Sequence, residues 1–228
     1  MLLVLASTLG LCLSSPAQIT RTDGGKYLFR CKYTVGKAFS YTMHMRITRP
    51  GQDPISVTGP FVETVKGVNG KTGAMTVVFG PLKSGPHLEH IVLPAQNYKF
   101  DQDMLGKVKG EGNVPQMSVL FPTNPIKVGD SWDGSTTGQP MGSNTTIKAH
   151  YKFLKMSQVL GHKAAQISVQ LASVGQADTN GTGTLYILVE DGSLWSTQTN
   201  LSMSSPGAKP SPGGNPPKMT LSMAMARQ

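Results

Sequence analysis

The chain is poor in charge, cysteine and aromatic residues. Only 14% of its 228 residues are charged, against about 25% in an ordinary soluble domain. That shortage argues against a coiled coil, a charged helical bundle or an acidic disordered chain. Two cysteines are present, Cys12 and Cys31, too few for the disulfide framework of a small secreted scaffold. No C-x-x-C, haem-attachment motif, G-x-x-x-x-G-K-[ST] or H-E-x-x-H occurs, so redox pairs, phosphate loops and zincin-type zinc sites lack their signatures. No cofactor or metal is expected. Twelve acidic residues leave few candidates for paired-carboxylate chemistry. Beyond residue 13 no apolar run approaches the ~20 residues a membrane-spanning helix needs.

What the chain has is glycine, proline and alternation. Its 26 Gly and 16 Pro punctuate runs in which apolar and polar residues alternate. In 39–48, Phe39, Tyr41, Met43, Met45 and Ile47 face one way and Ser40, Thr42, His44, Arg46 and Thr48 the other. The same period of two recurs around Tyr27 to Tyr33, Met75 to Phe79, Ile147 to Phe153, Ile167 to Leu171, Leu185 to Val189 and Met219 to Met225. This pattern predicts half-buried strands in an antiparallel sheet. Asn69-Gly70 and Asp191-Gly192 carry the residues that hairpin turns with positive φ favour, and Gly161-His162 marks another turn. Asp101 to Gly106 and Pro115 to Leu120 are expected to hold short helical turns within an irregular crossover. The fold predicted is all-β: an antiparallel, strongly curved sheet or partly closed barrel, with two pseudo-repeated meanders.

Residues 2–13 are uncharged and mostly apolar, and the small residues Ser15 and Ala17 follow. That is the form of a signal peptide over 1–17, which places the mature protein in the periplasm or outside the cell. Leu11 before Cys12 is not the small residue that a lipoprotein signal places there, so lipid anchoring is not expected. The remainder divides into 18–122, an N-terminal β half with the crossover, and 123–228, a C-terminal β half. The latter includes a Pro/Gly-rich loop at 204–217 and a last strand at 218–226. Val35-Gly36-Lys37-Ala38-Phe39 parallels Val128-Gly129-Asp130-Ser131-Trp132, and Met75/Val77/Phe79 parallel Ile167/Val169/Leu171. The near-constant offset suggests one meander used twice, though strand-turn-strand text can align by chance.

The segment Phe121-Pro122-Thr123-Asn124-Pro125-Ile126-Lys127-Val128-Gly129-Asp130-Ser131-Trp132 resembles an LP-x-x-P-V-K-x-G-D-x-W block carried by families of exported bacterial β-sheet proteins of unknown function. Gly161…Ala164-Ala165 and Gly181-Thr182-Gly183…Asp191-Gly192 extend the likeness across roughly 27–203. Phe121 replaces the family's Leu, and the middle is shorter. The resemblance implies antiparallel sheets and no particular activity. In physical terms, the two prolines fix an extended approach, Gly129-Asp130 turns the chain, and Trp132 covers an edge or core.

Candidate sites are few. Gly129-Asp130-Ser131 looks like an esterase nucleophile block, but the chain has no downstream D-x-x-H and no G-x-S-x-G. His87-Leu88-Glu89-His90 offers metal-ligating residues between two prolines, more in keeping with a solvated loop. Asp101 to Gly106 starts like a calcium loop but lacks its later ligands, with Leu105 and Gly112 where oxygen donors are needed. No catalytic set is therefore expected.

The net charge of +9 is densest over 21–49. If the strands at 27–33 and 39–48 pair, Arg30, Lys32 and Arg46 share a polar face that is either solvated or suited to a polyanion. Nucleic acid is not expected, since no base-stacking motif is present. Met43, Met45, Met223 and Met225 sit at inward positions, as core filler or as the soft wall of a cavity for a lipid. The functional expectation is an exported, non-catalytic binding module for an apolar or anionic ligand. A structural or assembly component of the cell envelope is the alternative.

Overall fold

A computed structural model describes residues 17–84, 92–109, 119–138, 145–174, 179–190, 193–204 and 218–228. Strands β1 (Ala17–Arg21) and β2 (Tyr27–Cys31) form a separate antiparallel hairpin. A 13-stranded antiparallel sheet holds the rest. Its members are β3 (Ala38–Thr48), β4 (Ile55–Asn69), β5 (Thr72–Phe79), β6 (Leu82–Ser84), β7 (Val92–Leu93), β8 (Gln96–Asp103), β9 (Val108–Lys109), β10 (Ser131–Gly138), β11 (Thr145–Val159), β12 (His162–Val174), β13 (Thr179–Leu188), β14 (Leu194–Ser204) and β15 (Lys218–Arg227). The order is β10-β11-β12-β13-β14-β15-β3-β4-β5-β8-β9, with β6 and β7 branching from β4. Because β15 pairs with β3, the two sequence halves share one sheet. Among the described residues no pairing joins β9 to β10, so strand pairing does not close the sheet into a barrel.

Alternation dictates which face is buried. β3 is buried at Phe39, Tyr41, Met43, Met45 and Ile47, and β15 at every second residue from Met219 to Met225. A one-residue slip in either strand would turn its whole apolar set to water, so the register is strongly specified.

The repeat seen in the text has a counterpart in the structure. Gly36 N–H donates to Val65 O at 2.9 Å and Val65 N–H to Lys37 O at 3.0 Å, just before β3 and β4 pair. Gly129 N–H donates to Phe153 O at 2.7 Å and Phe153 N–H to Asp130 O at 2.9 Å, just before β10 and β11 pair. Both glycines have positive φ. Each long second strand then carries an irregularity in register, between Val65 and Gly67 and between Phe153 and Lys155. The irregularity falls in the same place in both, so β3–β5 and β10–β12 have matching local geometry.

The hairpin ties the ends of this sheet together. Tyr27 exchanges backbone hydrogen bonds with Ile126 at 2.7 and 2.9 Å, and Cys31 N–H donates to Met104 O at 2.7 Å. Phe29, with no exposed surface, stacks on Phe121 and meets Trp132 and Phe153. Trp132 Nε1 donates to Leu120 O at 2.6 Å and its ring stacks on Tyr151. The 121–132 block is therefore a buttress between hairpin and sheet. Cys31 is buried in this core.

Three local expectations are corrected. Asp101–Gly106 is not helical: the strand runs to Asp103, whose Oδ1 then accepts from Leu105 N–H and Lys107 N–H at 2.9 and 3.0 Å. That side chain supplies the turn's hydrogen bonds in place of a helix. The 3-10 turn lies instead at Asp23–Gly25; residues 110–118 are outside the described residues. The two-residue turn with positive φ at both positions is Leu160-Gly161, at 46° and 86°. At the other hairpin Asn69 is still paired, opposite Thr72, and only Gly70 has positive φ. Finally β2 pairs with β1 and not with β3, so the pairing that would set Arg30 beside Arg46 is absent.

The signal-peptide reading at 1–16, the loop at 205–217, His87 to His90 and Asp191-Gly192 lie outside the described residues. Ala17 opens β1, opposite Cys31.

Candidate functional site

Outward-facing residues of β10–β15, β3 and β4 fall into register rows across the sheet. One row reads Asp133, His150, Gln170, Thr182, Asn200, Ser222, Arg46, Ser56, each opposite the next. All eight are exposed. A flanking row reads Ser135, Lys148, Ala172, Asn180, Ser202, Thr220, Thr48, and the row on its other side Ser131, Lys152, Ser168, Thr184, Gln198, Ala224, His44, Thr58.

Between the first two rows runs a groove of about 1120 Å³. Its central line is Gly134, Ala149, Leu171, Gly181, Leu201 and Leu221, again one register row across six strands. Leu171, Leu201 and Leu221 point inward and are buried, so the side chains flanking the groove are the outward polar ones. A second depression of about 280 Å³ is lined by His44, Arg46, Ser56, Thr58, Gln198 and Ser222, among others. Ser222 lines both and stands between them, the two lying on opposite sides of the first row; together they make this a grooved face. Six strands set about 4.8 Å apart make the larger groove roughly 24 Å long.

Lys148, Lys152 and Arg46 carry positive charge in the three rows. Asp133 is their single carboxylate, and its Oδ1 lies 2.7 Å from His150 Nδ1. His44 Nδ1 lies 2.9 Å from Thr58 Oγ1. The remaining polar groups are amides and hydroxyls. Among the described residues no Phe, Tyr or Trp side chain lines either depression. Among the described residues no group of three His, Cys, Asp or Glu is placed to hold a metal ion.

The structure separates the residues singled out in the sequence. Arg30 turns its guanidinium onto backbone: Nη1 donates to Pro122 O at 2.7 Å and to Phe29 O at 2.6 Å, and Nη2 donates to Thr123 O. It clamps the hairpin to the 121–132 block. Lys32 is exposed beyond the end of β2, and Arg46 lines the smaller depression. Met45 stands opposite Met223 and Met43 opposite Met225, so the four methionines do meet. They are 1–4% exposed, packed at the centre of the sheet's buried face. Asp130 supplies a turn, its Oδ2 accepting from Lys127 N–H at 2.8 Å.

Sequence reasoning missed two features. The polar rows were visible only as the hydrophilic half of an alternation, and the register that aligns them is set by turns and bulges. Glu63 is the other. It stands between Phe39 and Val77 in register, is 1% exposed, and its Oε2 has no partner. Burial pushes its carboxyl well above the ordinary value.

Fold and site define an all-antiparallel β protein with a grooved sheet face whose three outward rows carry three Lys or Arg side chains against one carboxylate. No family model and no curated protein matches the chain. A solved structure, that of the hypothetical lipoprotein YmcC from Escherichia coli (K12), is similar at a TM-score of 0.32 and 12% identity. The likeness covers 86% of this chain and 90% of that one, and is too distant to carry function from one to the other. Among the described residues no helix is long and apolar enough to cross a membrane.

Proposed function

We propose that this chain is a non-catalytic binding protein that works outside the cytoplasm and holds an anionic ligand on its grooved sheet face. The observation that carries the reading is the grooved face, whose three register rows hold three Lys or Arg side chains against one carboxylate. The apolar segment 2–13 with Ser15 and Ala17, and the resemblance of the 121–132 block to exported families, support the location. The methionines serve the core in this reading.

A surface with an excess of one sign of charge raises the local concentration of the opposite charge and makes binding salt-dependent. The test is titration with a flexible polyanion, dextran sulfate, at low and at physiological salt. The expected result is binding that weakens with salt and is lost in the Lys148→Ala/Lys152→Ala/Arg46→Ala variant. These side chains are exposed, so their removal leaves folding intact. No binding at low salt, or equal binding by the triple variant, contradicts the reading.

A further inference from the structure

The structure assigns the grooved face to an acidic glycan strand: an extended, hydroxyl-rich chain carrying carboxylates at intervals. This rests on the anionic-ligand reading and narrows it by the chemistry between the charges. A site built for bare charge, such as a polyphosphate, needs cations along its length. Here the cations stand apart, Lys148 and Lys152 on β11 and Arg46 on β3, with four intervening strands, β12–β15, that bear none in the three rows. Those strands offer Gln170, Thr182 and Asn200 in one line, with Asn180, Ser202 and Gln198 beside it. Amides present two donors and an acceptor, and hydroxyls one donor and two lone pairs. Such groups match sugar hydroxyls and ring oxygens better than they match phosphate, which only accepts.

Length and shape agree. The rows run across the strands, so a repeating ligand meets equivalent positions about every 4.8 Å. A globular ligand would use a fraction of a groove roughly 24 Å long. Among the described residues no Phe, Tyr or Trp lines either depression of the face, so it lacks there the stacking platforms on which single-stranded nucleic acids depend. The same lack disfavours a neutral glycan that relies on ring stacking. Charge complementarity favours the acidic class, since Asp133 is the single carboxylate in the three rows and already faces His150 at 2.7 Å.

The experiment compares three probes by calorimetry at low salt: oligogalacturonate, linear polyphosphate of matched charge, and a neutral maltooligosaccharide of matched length. Each is titrated into the unaltered chain and into Gln170→Ala/Asn200→Ala, with circular dichroism confirming the fold of the variant. The expected result is strongest binding of oligogalacturonate. Its affinity should fall about tenfold in the amide variant, the loss of two modest hydrogen bonds, with polyphosphate binding unchanged. Polyphosphate binding as tight as oligogalacturonate, or an oligogalacturonate affinity untouched in the variant, overturns the glycan assignment and leaves the anionic reading standing. Equal binding of the neutral sugar overturns the acidic part. No binding of either anion overturns both.

Discussion

Glu63 makes stability fall as pH rises. Its carboxyl is 1% exposed between Phe39 and Val77 with Oε2 unpartnered, and burial raises it well above the ordinary value of 4.5. Desolvation penalises the charged form, so the native state keeps a proton that the unfolded chain gives up. The contribution is fully present below about pH 4.5 and is lost as pH rises towards the native value. Where the native carboxyl stays protonated and the unfolded one is ionised, each pH unit costs about 1.4 kcal/mol. Urea unfolding from pH 5 to 7 on the natural chain and on Glu63→Gln isolates this, because every other carboxylate is common to both. The difference between the two should tilt against the natural chain by about 1.4 kcal/mol per pH unit at its steepest. Parallel pH profiles would refute the reasoning.

Three further outcomes are expected. Leu160, 83% exposed at φ 46°, holds a left-handed conformation costly for a branched-carbon side chain and buries nothing in return. Leu160→Asn should therefore raise stability by about 1 kcal/mol in thermal or urea unfolding, and a loss would contradict the turn assignment. Arg30→Ala should cost about 2 kcal/mol, as the carbonyls of Pro122 and Thr123 lose a charged donor, with dextran sulfate binding unchanged; weakened binding at unchanged stability would make Arg30 a ligand residue. Met45→Ala or Met223→Ala should cost roughly 2–5 kcal/mol by leaving a cavity, and a stable variant with altered ligand binding would assign these side chains to a ligand wall.

Much of the sheet is legible in the text because one face is buried. In β3 and β15 the burial of every second residue follows the alternation residue by residue, and the Val-Gly motifs at 35–36 and 128–129 foretell the matching local geometry of β3–β5 and β10–β12. What is not legible is partnership. Arg30 and Arg46 are both on strands and both polar, yet β2 is claimed by β1 and by the 121–132 block, which removes Arg30 to a structural clamp. The choice is made by long-range packing of Phe29 against Phe121, Trp132 and Phe153. The grooved face is hidden for a related reason. Asp133, His150, Gln170, Thr182, Asn200, Ser222 and Arg46 are scattered over a long stretch of sequence and become neighbours only through six strand registers. Glu63 likewise reads as one more polar residue in a strand, and its burial follows from its place opposite Phe39.

The most direct test of the central claim is a map of backbone amide shifts as oligogalacturonate is titrated into the isotopically labelled protein. The largest changes should fall on His150, Gln170, Thr182, Asn200, Ser222 and Arg46, in one line across the sheet. Changes confined to Tyr27–Lys32, or to the methionines of β3 and β15, would contradict the assignment of this face.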